Sequence, residues 1–280
     1  LMHLIGLHGK SFIPMLIGFG CTVPAIMATR TLESRRDRLT TMLVVPLMSC
    51  GARLPVYLVL TGAFFPPAAG GKIILSIYLL GVVLAITMAK VFRSTIFRGP
   101  STPFVMELPP YRVPTLVGTL LHMWERGWCY VKKAGTVILA ASVVIWALLT
   151  YPQPPAGAAL SGEPAVAYTF AGRIGRAIEP VLRPLGFDWK IAISLVSGLA
   201  AKEVVVATLA TTYSIDEHAE GEFAGLAAAL RADPVFSPLV AYTLMVFVLI
   251  YVPCVASMAV LWREAGSWKW PALAVVYTIV

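Results

Sequence analysis

Pro46-Leu47-Met48-Ser49-Cys50-Gly51-Ala52-Arg53-Leu54-Pro55 lies inside an apolar run from Thr40 to Phe65. A bilayer core takes about 20 helical residues to cross, so the run is long enough to be a membrane span. Two prolines interrupt it. Proline has no backbone N–H and expels the carbonyl four residues earlier from the helical ladder. In lipid such a break is tolerated only where protein or a watery cavity covers the freed groups. The combination recurs in Gly18-Phe19-Gly20-Cys21-Thr22-Val23-Pro24, and Cys254 directly follows Pro253. A soft, ionisable sulfur beside freed carbonyls is a place for a metal cation to pause. The fold class this predicts is all-α: a polytopic transmembrane helical bundle with broken or re-entrant helices.

Composition agrees. The chain has 280 residues, 58% of them hydrophobic and 13% charged, with a mean hydropathy of +0.81. Soluble domains carry about 25% charged residues, so this is an integral membrane protein. The formal net charge of +8 does not require nucleic acid, because Lys and Arg gather in cytoplasmic loops of membrane proteins. No basic-aromatic recognition module is present. The four cysteines form no CxxC and suggest no disulfide framework. The N-terminus shows no signal peptide. Both ends look cut, and the chain reads as a piece of a larger protein.

Along the chain, Phe12 to Thr29 reads as a broken helix and Thr31 to Arg38 as a charged connector. Thr40 to Phe65 reads as a span kinked at Pro46 and Pro55. Pro66 to Gly71 reads as a tight turn by its Pro/Gly content, and Lys72 to Phe92 as a clean span. Arg93 to Pro114 is polar and proline-rich. Thr115 to Lys133 has the spacing of a helix lying in the membrane surface, or of a loop helix packed on protein. Ala134 to Tyr151 is a span. Pro152 to Asp188 is a connector with an amphipathic helix near Tyr168 to Leu182. Trp189 to Tyr213 is a span holding Lys202 and Glu203. Asp216 to Asp233 is amphipathic, Phe236 to Leu261 is a span broken at Pro253, and Trp268 begins a last one. The basic clusters at Arg30 to Arg38 and from Lys90 to Lys133 place both regions on the cytoplasmic side.

An internal two-fold repeat is expected. Residues 13–21 and 193–201 carry Gly and small residues at matching offsets. Each is followed by a span with a central cysteine, Cys50 in one half and Cys254 in the other. Transporters are often built from two such halves, with interrupted helices marking the site. The division is residues 1–133, a first repeat with a cytoplasmic connector and interfacial helix, and 134–280, a second.

Cys21, Cys50 and Cys254 are candidate metal ligands, since thiolate suits soft or borderline ions. Cysteine also packs as a small apolar residue, and the residues alone leave both readings open. An ionisable group in mid-membrane costs about 2.5–3.5 kcal/mol on insertion scales, which makes Lys202 and Glu203 functional candidates. Glu203 offers an oxygen ligand or proton acceptor; Lys202 would pair with a carboxylate or with broken-helix carbonyls. Neighbours on a helix point about 100° apart, so each needs its own partner. A structural ion pair at an unwound helix start is the alternative. Arg53 reads as structural or gating. Thr22 and Ser49 could lend hydroxyls to a passing ion or cap broken helices, and Met48 could lend a thioether or simply pack. No HxxxH pair occurs among the four histidines.

The strings GFGCTVPAIMATRTLESRRDR (18–38) and PLMSCGARLPVY (46–57) resemble the membrane domain of the FeoB family of ferrous iron transporters. SGLAAKEVVVATLATTY (197–213) and YVPCVASMAVLWREAGSWKW (251–270) resemble its second half, in the paired regions called Gate motifs. The resemblance covers nearly the whole chain and favours metal at the cysteines. It implies a multi-pass protein of the bacterial inner membrane that moves Fe(II). It also implies a cytosolic GTPase domain of the same parent protein, small accessory Feo-type proteins and further copies of the chain as partners. This chain has no GxxxxGK[ST] motif, so GTP and Mg enter only through that other domain, and the chain itself is not expected to be an enzyme. Gate regions also resemble segments of nucleoside transporters, which supplies a rival. A nucleoside or other organic-solute carrier needs a polar pocket, yet the chain has no Asn and only Gln153. A membrane-bound enzyme and a non-transporting membrane subunit complete the alternatives.

Overall fold

A computed structural model describes residues 7, 9–98, 115–152, 165–213 and 222–279. These residues are helical throughout their regular structure, with no strand among them. Helix α1 (Phe12–Gly18) and α2 (Thr22–Ala28) are separated by three residues. Cys21 between them is extended, with φ −150° and ψ 134°. The polypeptide then turns back on itself: Lys10, before α1, pairs with Glu33, after α2, at 2.8 Å. The two helices are therefore a hairpin with both ends at one end of the bundle.

Helix α3 (Arg35–Val44) and α4 (Leu54–Phe64) form the next unit. Ser34 caps α3, accepting from the Asp37 N–H, which is why the helix begins inside the expected charged connector. Between α3 and α4 the expected kinks are a complete break: two 3-10 turns flank Met48 and Cys50, both extended. Pro66 and Pro67 open α5 (Pro67–Thr95). The expected turn at 66–71 is thus shorter, because proline fits the first helical position, where its missing donor costs nothing. Gly70 and Gly71 already lie in the helix. Arg93, at the end of α5, meets Asp37 at 3.0 Å, returning the chain to where α3 began.

Helix α6 (Leu116–Thr150) runs for 35 residues, which is about 52 Å at 1.5 Å per residue. The surface helix and the span expected here as two segments are one uninterrupted helix, since no proline divides them. After it come α7 (Phe170–Leu182), α8 (Trp189–Gly198) and α9 (Val204–Thr212). The expected single span over Trp189 to Tyr213 is instead a second hairpin. Lys190 and Tyr213, at its two ends, both donate to Asp233 Oδ2, at 2.9 and 2.7 Å, and the Lys190 ammonium sits 4.3 Å from the Tyr213 ring centroid. Burial pushes the Asp233 carboxyl up, but the hydrogen bonds from Tyr213 and Lys190 outweigh it and hold the carboxyl below its ordinary value. A lowered native value means that Asp233 contributes stability above its unfolded pKa of about 3.9, and loses it as pH falls through the native value. Asp233→Asn should therefore lower the melting temperature at pH 7 and make no difference in strong acid, as thermal denaturation at both pH values would read.

Helix α10 (Glu222–Ala232) precedes α11 (Pro238–Ile250), α12 (Val255–Ala265) and α13 (Lys269–Ile279). Arg231 donates to the carbonyls of Gly62 and Ala63 at the end of α4, and Arg38 in α3 donates to Glu264 in α12. The broken pair α11–α12 therefore runs antiparallel to α3–α4. The α1–α2 hairpin opens at the Arg38 end and the α8–α9 hairpin at the Arg231 end. Among the described residues, three stretches are long and apolar enough to cross a membrane: 35–64, 67–95 and 238–265. Helix α5 turns Leu75, Leu79 and Val83 outward, each more than half exposed, and buries Gly81, Ala85 and Ala89. Small residues inward and branched ones outward is the pattern of a lipid-facing helix. The chain is a multi-pass membrane protein.

Close approach of α7 to α8 depends on Gly175, where an added Cβ would lie 2.6 Å from Ile193 Cγ1 and 2.8 Å from the Trp189 carbonyl. Alanine normally gains up to about 1 kcal/mol over glycine in a helix, but overpacking costs about 1–3 kcal/mol and wins here. Gly175→Ala is expected to lower the melting temperature in detergent.

Candidate functional site

Four helix breaks define the interior, and they meet in pairs. Pro24 lies four residues after Gly20 and cannot donate to its carbonyl; the Gly51 N–H donates to it instead, at 3.0 Å. This ties the α1–α2 break, with Cys21, to the α3–α4 break, with Cys50. The Val255 N–H likewise donates to the Leu199 carbonyl at 2.7 Å, tying the α8–α9 break to the α11–α12 break, with Cys254. Each re-entrant hairpin is thus stitched at its tip to the broken middle of a crossing unit. The backbone groups that lipid could not satisfy are satisfied by each other.

Two cations complete this. Arg53 is 2% exposed and donates to the Met48 carbonyl at 2.7 Å and the Pro46 carbonyl at 3.2 Å. Lys202 is 3% exposed and donates to the Val252 carbonyl at 2.9 Å. Its ammonium stands 3.1 Å from the centroid of the Tyr251 ring, a cation–π contact worth up to about 2 kcal/mol when desolvated. Of the two partners expected for Lys202, a carboxylate or a broken-helix carbonyl, it is a carbonyl that it meets. The two cations belong to different broken units, and Lys202 lies within electrostatic range of Arg53, Cys50 and Cys254.

None of the three cysteines is in a disulfide. Cys21 and Cys254 are half-buried and pack against the same small apolar cluster of Val23 and Ala256. The Cys254 sulfur is also 3.1 Å from Ser257 Oγ. Cys50 is buried beside Ser49, whose hydroxyl donates to the Tyr57 hydroxyl at 3.3 Å. Thr22 is buried at the start of α2. Met48 packs in the core with Met42, Leu43 and Ala85. Glu203 is exposed at the N-cap of α9, directly after the inward-turned Lys202. Among the described residues no three His, Cys, Asp or Glu side chains converge on a metal-sized space. Cys129 has no described side chain, and His3, His8 and His218 lie outside the described residues.

Two tyrosines were missed in the sequence. Tyr251 stacks on Phe247, with centroids 5.6 Å apart, carries the Lys202 ammonium, and donates to the Leu195 carbonyl at 3.4 Å. Tyr57 receives Ser49. Their signal was an aromatic within a few residues of each proline–cysteine break, which is also the ordinary pattern of membrane packing. Gly198 makes the approach possible: a Cβ there would stand 2.5 Å from the Tyr251 hydroxyl.

The comparisons agree with one another. The Gate family model, described as nucleoside recognition, matches residues 1–64 and 131–268. The model for the C terminus of ferrous iron transport protein B matches 74–126, between the two Gate stretches. A Porphyromonas gingivalis protein named as a fusion of Fe(2+) transport protein A and Fe(2+) transporter FeoB is 46% identical over 99% of this chain and 37% of its own length. The Fe(2+) transporter FeoB of Campylobacter jejuni is 43% identical over 99% of the chain and 45% of its own length. That of Methanocaldococcus jannaschii is 43% identical over the whole chain and 41% of its own length. No solved structure matches. The chain spans less than half the length of these relatives, and by both family models and near-complete coverage it belongs to the FeoB family of ferrous iron transporters, as part of the membrane region.

Proposed function

We propose that the chain forms the membrane pathway of a ferrous iron transporter, moving Fe(II) across the cytoplasmic membrane, the inner membrane in bacteria. The observation that supports this best is the pairwise stitching of the four breaks, which joins the Cys21 break to the Cys50 break and the α8–α9 break to the Cys254 break, each with freed carbonyls beside a sulfur. A borderline cation suits thiolate together with oxygen. Transport also requires a site weak enough to release its ion, which one or two cysteines with carbonyls or water meet better than a closed cage. Cys50 and Cys254 act as the matched pair and Cys21 as a further sulfur on the Cys254 side. Glu203 supplies an oxygen at the approach. Thr22, Ser49 and Met48 line the route, and Arg53 and Lys202 hold the broken backbones open around it.

The recurring order of hairpin and crossing unit, in opposite directions, supports a two-fold repeat, with the change of halves inside α6 rather than at a loop near residue 133. The Arg30, Arg38 and Arg93 end faces the cytoplasm by the positive-inside rule. There a GTPase domain of the same parent protein gates or powers flux with GTP and Mg, small accessory Feo-type proteins dock, and copies of the chain associate. A nucleoside carrier is not favoured, since the relatives are named for Fe(2+) and the chain has no Asn.

Proteoliposomes carrying the chain should take up Fe(II), and Cys50→Ser should reduce the initial rate. Wild-type uptake in the single variant and in the triple Cys→Ser variant would remove the thiols from the pathway.

A further inference from the structure

A second polar feature lies at the other extreme of the molecule from lipid-buried chemistry. Between the start of α3 and the end of α12 is a cavity of about 340 Å³, a size within the range of small-ligand sites, roughly 300–1,000 Å³. Arg35, Arg38 and Arg263 line it, with Leu39 as apolar wall and Glu33 and Glu264 as the acidic lining groups. Both carboxylates are already engaged. Glu33 pairs with Lys10, and the Glu264 side chain, 5% exposed, receives Arg30 and Arg38. Arg35 and Arg263 are exposed and have no ion-pair partner among the described residues. Arg38 Nε is buried without a hydrogen-bond acceptor, an arrangement costly to leave unmet. The exposed Arg35 and Arg263 therefore offer the cavity donors that no described carboxylate takes up.

Its depth narrows the class of ligand. The crossing stretches 35–64 and 238–265 end here, so the cavity opens at the membrane surface. Trp262 and Trp268, both exposed, stack at the same end of α12 with ring centroids 4.7 Å apart. Tryptophan concentrates at the headgroup level of a bilayer, and guanidinium forks match phosphate oxygens in bidentate geometry. We propose that this cavity binds the phosphate of an acidic phospholipid headgroup, with Arg35 and Arg263 as the closing donors and the Arg38–Glu264 pair as the floor. An acidic protein segment is less favoured, because the apolar wall and the paired tryptophans suit acyl chains.

The test reconstitutes the full chain in phosphatidylcholine nanodiscs with added phosphatidylglycerol and counts retained acidic lipid by native mass spectrometry. Arg35→Gln with Arg263→Gln removes two exposed, unpaired charges and should leave the melting temperature unchanged. It should weaken phosphatidylglycerol retention on the order of tenfold. Arg173→Gln with Arg183→Gln, an equal charge loss at the opposite end, should leave retention as it was. Equal loss in both double variants would overturn the proposal in favour of diffuse surface charge, and unchanged retention in the first would overturn it outright. Displacement of the lipid by equimolar inorganic phosphate, or by a synthetic acidic peptide, would overturn the lipid assignment.

Discussion

Lys202→Met is expected to reduce Fe(II) uptake on the order of tenfold, the factor that about 1.4 kcal/mol represents, while leaving a folded bundle. Methionine keeps most of the stem volume and removes the ammonium. Two effects on stability then oppose each other. The Val252 carbonyl loses its 2.9 Å donor, at about 1–3 kcal/mol for a buried acceptor, and the Tyr251 ring loses its cation. Against this, a buried charge that costs about 2.5–3.5 kcal/mol on insertion scales disappears. The terms are of similar size, so the melting temperature should move little. Flux should move much more, because Lys202 fixes the backbone immediately before Pro253 and Cys254. Lys202→Arg, which keeps a donor at the carbonyl, should lie between. Initial uptake rates and thermal melting on the same preparations separate the two readouts. Full uptake by Lys202→Met would make Lys202 a structural residue only.

Arg53→Met is expected to act on stability first. Arg53 holds two carbonyls from a segment in which proline and extended residues leave no helical donors. Each abandoned carbonyl costs about 1–3 kcal/mol, so losing both costs about 2–6 kcal/mol; relief of the buried charge, whose Nε has no acceptor, offsets about 2.5–3.5 kcal/mol, and the net loss of up to about 3 kcal/mol is still a sizeable share of a typical total of about 5–15 kcal/mol. Lys202 cannot substitute, since it is committed to the Val252 carbonyl of the other broken unit. The variant should express poorly and melt at a markedly lower temperature. Arg53→Lys, which can reach one carbonyl but not fork to two, should recover part of the loss. A melting temperature equal to that of the parent in Arg53→Met would show that water or a neighbouring donor satisfies these carbonyls.

The two variants differ because their breaks differ, and the same difference explains what could be read from residues alone. Pro24, Pro46, Pro55 and Pro253 announce three of the four breaks, since proline leaves no choice about the ladder. The fourth, at residues 199–203, contains no proline and reads as a continuous span. It exists because Lys202 and the Leu199 carbonyl find partners in the α11–α12 break, about fifty residues later, and no local pattern encodes that. The long helix α6 was divided for the converse reason: its charges suggest a surface segment, while its uninterrupted ladder ignores them. The places of the cysteines at helix breaks and the two buried cations were legible. Their grouping was not, because it depends on which hairpin tip meets which crossing unit. Glu203 shows the limit of spacing arguments. It and Lys202 lie in the non-helical break between α8 and α9, where helical spacing sets no directions and the packing turns the lysine inward.

Iron itself tests the central claim most directly. Crystals of the chain soaked anaerobically in Fe(II) and measured on both sides of the iron absorption edge should give an anomalous peak within bonding distance of Cys50 or Cys254, between the two stitched pairs of breaks. Anomalous peaks at Glu203 or the surface alone, with none at the cysteines, would contradict a thiol-lined pathway through the centre of the bundle.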